Sequence, residues 1–140
     1  MTRRQRWFVA YVVLLLGIVA TGVLNMLRVS GGFLTNHLAD IVVPAWLYVA
    51  FRGLHVAPGR TTRLQRWVGR TPEWAALVLF TASTVTEVSQ YYWPRGIFSG
   101  RFDPLDVLSY AVSLALCYAA DRLSSKPSGD GAEETVPPAA

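Results

Sequence analysis

Four apolar stretches, set apart by loops that hold most of the charge, constrain this chain more than any other feature. They cover residues 7–27, 34–54, 74–93 and 105–120. About 20 apolar residues cross the roughly 30 Å hydrocarbon layer of a bilayer at about 1.5 Å of helical rise per residue. Four such stretches within 140 residues leave almost nothing from which to build a water-soluble core. The sequence therefore predicts an all-α fold, a four-helix transmembrane bundle over residues 1–122 with both termini cytoplasmic. A disordered cytoplasmic tail rich in Ser, Gly, Glu and Pro is expected over 123–140. There is no internal repeat and no second domain.

The orientation comes from the basic residues. Of the 13 Lys and Arg, ten fall on one side of the alternating loops. They are Arg3, Arg4 and Arg6 before the first span, then Arg52, Arg60, Arg63, Arg66 and Arg70 between the second and third, then Arg122 and Lys126 after the fourth. Arg28, Arg95 and Arg101 fall on the other side. Loops rich in Lys and Arg stay in the cytoplasm during insertion, so both termini are expected inside. The net charge of +4 then reports topology and anionic headgroups, and no nucleic-acid partner is expected. The basic start before an apolar run also fits a secretory signal cleaved near Ala20-Thr21-Gly22. That run is longer than the roughly 7–15 residues of a signal core, and a retained first helix is the expectation.

Local signals mark the elements. Pro44 lies inside the second stretch, where it removes a backbone donor and kinks the helix. Arg60, Arg63, Arg66 and Arg70 recur at three- and four-residue spacing. They read either as a short helix lying on the inner leaflet, with Trp67 at the interface, or as a solvated basic loop. Thr71-Pro72 has the form of a helix N-cap followed by proline at the first helical position. Tyr91-Tyr92-Trp93 forms an aromatic cluster suited to the outer interface. The single cysteine, Cys117, rules out an internal disulfide and reads as a small packing residue.

Topology gathers the scattered polar residues into one layer. Spans one and three run outward, which puts Asn25, Glu87 and Gln90 near their outer ends. Spans two and four run inward, which puts Asn36, His37, Asp40 and Asp106 near their outer beginnings, while Arg95, Arg101 and Asp103 lie in the loop between spans three and four. Glu87 sits roughly 9 Å below Trp93 at helical rise. A charge at that depth costs a few kcal/mol unless it faces protein and is paired. Glu87, Gln90 and Ser83 share one helical stripe, and Asp106, Ser109, Tyr110 and Ser113 make another. Two such stripes on neighbouring antiparallel helices would bury each other.

The pattern Glu87-x-x-Gln90, an outer loop with Arg101 and Asp103, and Asp106 opening the last helix resembles the signature of the VanZ-like membrane proteins. The likeness covers Thr86 to Ser113, and Tyr110 and Ser113 stand where that family has Asn and Gly. The resemblance implies a multi-pass protein of the bacterial cytoplasmic membrane, acting at its outer face near the cell envelope. It also implies a link to glycopeptide (teicoplanin) resistance, and it supplies no catalytic residue.

The expected activity is recognition or tuning of a lipid or envelope-precursor headgroup by His37, Asp40, Glu87, Gln90, Arg101, Asp103 and Asp106. Three alternatives stand beside it. The same residues form a structural salt-bridge cluster with no ligand; or His37, Asp40, Glu87, Asp103 and Asp106 supply metal ligands or an acid/base pair for a lipid or sugar-phosphate hydrolase; or Glu87 carries protons in a transporter built as a homodimer. His-Glu-x-x-His, Gly-rich phosphate-loop and Gly-x-Ser-x-Gly signatures are all absent. No catalytic residue, cofactor or resident metal is assigned from the sequence.

Overall fold

The computed structural model describes residues 1–27, 33–57, 59–93 and 102–125, with side chains from His37 onward in the second segment. Among these residues all regular structure is helical: α1 (Arg3–Met26), α2 (Phe33–Arg52), α3 (Arg63–Val68), α4 (Pro72–Tyr92) and α5 (Pro104–Ser125). The four long helices coincide with the four apolar stretches, and α3 is the short helix allowed for in the basic segment.

Short polar residues set the helix starts. Thr2 and Gln5 form a capping box on α1, and Thr62 and Gln65 form another on α3. Thr71 Oγ1 accepts the Trp74 amide at 3.1 Å with Pro72 opening α4, as the sequence predicts. Asp103 Oδ1 accepts the Leu105 amide at 2.9 Å just before α5. Gly53, at φ 63, takes the left-handed conformation that ends α2.

The central helix is α2, which packs against α1, α4 and α5, while α4 also packs against α5. Its central run is apolar on every side, as a helix covered on several faces requires. Tyr48 from α2, Ala75 and Leu79 from α4 and Leu114 from α5 form the buried core, with Phe51, Phe80 and Cys117 packed around it. Gly17 lets α1 lie close to α2, since a Cβ there would sit 3.2 Å from Val42 Cγ1. α2 stays helical through the buried Pro44. The proline has no N–H for the Asp40 carbonyl, and Ser113 Oγ on α5 donates to the next carbonyl, that of Ile41, at 2.6 Å.

Beside this apolar core, some polar side chains are buried while many large apolar ones are exposed. Glu87, Ser113 and Asp121 are 4%, 3% and 0% exposed. Leu16, Leu77, Val85, Leu108 and Leu116, spread over α1, α4 and α5, are each more than half exposed. Among the described residues, α1 is the one helix long and apolar enough to cross a membrane, with 24 residues and a mean hydropathy of 2.4. Acidic residues are few on the other long helices: Asp40 on α2, Glu73 and Glu87 on α4, and Asp106 and Asp121 on α5.

One boundary differs from expectation. α5 continues to Ser125 instead of giving way to a tail after residue 122, because its last turn is tied to α1. The remainder of the expected tail, 126–140, lies outside the described residues.

Candidate functional site

The bundle's up-down-up-down path gives it two polar ends. At one end α1 starts, α2 finishes, α4 starts and α5 finishes; Asp121 lies there. At the other end α5 begins, α4 finishes and α2 begins; Asp106 lies there.

At the Asp106 end, four residues named from the sequence come together with one tyrosine. His37 Nδ1 lies 2.8 Å from Asp106 Oδ1 and 3.9 Å from Asp40 Oδ2. The Tyr110 hydroxyl lies 2.8 Å from Glu87 Oε1 and 3.3 Å from Asp40 Oδ1. The network therefore runs Asp106, His37, Asp40, Tyr110, Glu87 and joins α5, α2 and α4. His37, Asp103 and Asp106 each offer one ligand atom, and these atoms all lie within 4.8 Å of one another. Glu87 Oε2 is buried without a hydrogen-bond partner among the described residues.

The charges do not balance locally. Asp40, Glu87, Asp103 and Asp106 are four carboxyl groups beside one imidazole. Among the described residues no Lys or Arg pairs with them; the arginine ion pairs are those of Asp121 and Glu73. Tyr110 has one hydrogen for two carboxyl oxygens. Both contacts are attractive when that hydrogen is shared between the two oxygens, or when one of the two carboxyl groups is protonated and donates to the hydroxyl oxygen.

The other site residues named from the sequence fall differently. Gln90 is half-buried one turn beyond Glu87 and makes no hydrogen bond to the network. Asn25 is exposed near the end of α1. Arg95, Arg101 and the Asn36 side chain lie outside the described residues.

The Asp121 end holds a cluster that sequence reasoning missed. Asp121 is wholly buried and accepts from Arg52 Nε at 2.7 Å, Arg3 Nη2 at 2.8 Å and Tyr48 OH at 3.2 Å. Arg52 also donates to the Gly69 carbonyl, which ties α2 to the segment before α4. Arg3 reaches Ser125 Oγ at 2.7 Å, and Trp7 Nε1 reaches Ser124 Oγ at 3.4 Å. On the surface nearby, Arg122 pairs with Glu73. The Glu73 carboxyl is held below its ordinary range, first by its own backbone N–H at the start of α4 and then by Thr71 and Arg122. The signal for Asp121 was present: one acid beside Arg122 at the end where Arg3 and Arg52 gather. Asp121 is answered by two arginines and Glu73 by one, so this end is a closed structural clamp, whereas the Asp106 end has acids to spare.

Comparison with protein-family models, curated proteins and solved structures finds no match to this chain.

Proposed function

We propose that this chain is a multi-pass protein of a bacterial cytoplasmic membrane, with α1, α2, α4 and α5 all spanning the bilayer. In this reading the Asp106 end faces outward, and its polar network recognises the headgroup of a lipid or lipid-linked envelope component. The carrying observation is where polarity lies: the carboxyl groups of Glu87 and Asp121 are inside the bundle, and large apolar side chains are outside on α1, α4 and α5. A water-soluble monomer rarely exposes continuous apolar surface on this scale, whereas lipid requires it.

Two aromatic groups support the same placement. Trp67 and Trp74 meet edge to face near the Asp121 end, and Tyr91, Tyr92 and Trp93 form an exposed cluster at the Asp106 end. Trp74 and Trp93 are separated by roughly 28 Å of helical rise, close to a bilayer's hydrocarbon thickness. Acidic and phenolic groups between such belts face a bundle interior for which lipid offers no solvation. The hydroxyls, amines and bound cations of a headgroup are the partners that acceptor groups at this end would take.

The resemblance to VanZ-like proteins over Thr86 to Ser113 agrees with this placement and extends it to glycopeptide resistance. It rests on those residues alone.

The test is binding to lipid nanodiscs with divalent cation present, comparing phosphatidylglycerol and a polyprenyl phosphate with phosphatidylcholine. The wild type should prefer one of the first two, and Glu87→Gln should weaken that preference without loss of folded protein. Equal binding to all three would sink the recognition reading.

A further inference from the structure

We propose that the Asp106 end holds a divalent cation, ligated by His37, Asp103 and Asp106 with Asp40 alongside. This deepens the headgroup reading, because acidic groups repel a phosphate and a bound cation reverses that sign.

The three ligand atoms already lie within 4.8 Å of one another, so one ion can touch all three with side-chain adjustments alone. Two of the residues are held from different elements. Asp106 is in the first turn of α5 and His37 is on α2, and the 2.8 Å contact between them fixes their relation. Asp103 is fixed as well, since its carboxylate caps the start of α5. The ligand set is thus braced by the helices, as a metal site requires.

A separate observation demands a partner here. Glu87, 4% exposed, belongs to the same network through Tyr110, and its Oε2 has no hydrogen-bond partner among the described residues. A buried carboxylate oxygen left unpaired costs several times an ordinary hydrogen bond. A positive ion held in the same network, which Glu87 joins through Tyr110 and Asp40, offsets part of that cost, and no Lys or Arg does so among the described residues. Asp121 has the same burial but is answered by two arginines, so the shortage is particular to this end.

The donor set narrows the ion. One imidazole with carboxylates suits zinc or manganese, whereas magnesium and calcium favour all-oxygen sites.

The experiment uses the full chain in detergent and in phosphatidylglycerol nanodiscs, stripped with EDTA and titrated with Zn²⁺ or Mn²⁺ alone. The expected result is one ion per chain, accompanied by a higher melting temperature. His37→Gln and Asp106→Asn should each weaken binding by at least about tenfold. Glu73→Gln, at the far end, should bind as the wild type does and guards against general effects of substitution. If the stripped, folded wild type takes up no stoichiometric metal, or if both site variants bind normally, the cation site is refuted. Headgroup preference that persists in EDTA would refute the cation's part in recognition while leaving the recognition reading intact. One bound ion with no headgroup preference would do the reverse.

Discussion

Tyr110 decides how the Asp106 end is held together, because a single hydroxyl serves two carboxyl groups on different helices. Tyr110→Phe keeps the ring and removes that proton. Glu87 then loses its only described partner, and the loss should cost about 1–3 kcal/mol of stability, read as a lower melting temperature in detergent. Asp121 supplies the contrast at the other end. Its removal strands Arg52, whose side chain is 15% exposed, so Asp121→Ala should cost about 3–5 kcal/mol. Arg3 is 42% exposed, and Arg3→Ala should cost no more than about 1 kcal/mol. Equal losses from the two substitutions would show that the clamp is not organised around the Arg52–Asp121 pair. Sequence made His37, Asp40, Glu87 and Asp106 legible because alternating helix direction alone sends them to one end. It did not separate Gln90, which shares a stripe with Glu87 yet stays outside the network. Asp121 was hidden because an acid next to Arg122 looks like the ordinary charged end of a span.

The elements were easier to read than their contacts. Apolar length gave the four long helices, and threonine caps and Pro72 gave the start of α4 within a residue or two. What length and capping do not encode is which helix lies in the middle. α2 takes that place because its central turns are apolar on every side and it meets each of the other four helices. Its proline also sits where Ser113 of α5 can serve a carbonyl beside the gap. Gly69 is the tightest point in the connections: a Cβ there would run into the backbone carbonyls of Phe51 and Gln65. Gly69→Ala should therefore destabilise by about 1–3 kcal/mol through overpacking, although nothing polar is lost. The check is the melting temperature of that variant beside Gly22→Ala, where open space meets the new methyl and little change is expected.

For the molecule as a whole, everything turns on which surface meets lipid. The proposal that α1, α2, α4 and α5 all cross a bilayer, with Asp106 and Asp121 at opposite faces, accounts for the buried carboxyl groups and the exposed leucines together. Composition averaged over the chain conceals this, since basic loops and apolar spans cancel in the mean. Reporter fusions at Gln65, in α3, give the most direct measurement, with fusion activity read in membranes that withstand alkaline extraction. The orientation argued above requires Gln65 to report from the cytoplasm, on the same side as Arg3 and opposite the segment leading to Asp103. A fusion at Gln65 that is active outside the membrane, or a chain that alkaline treatment releases, would contradict it.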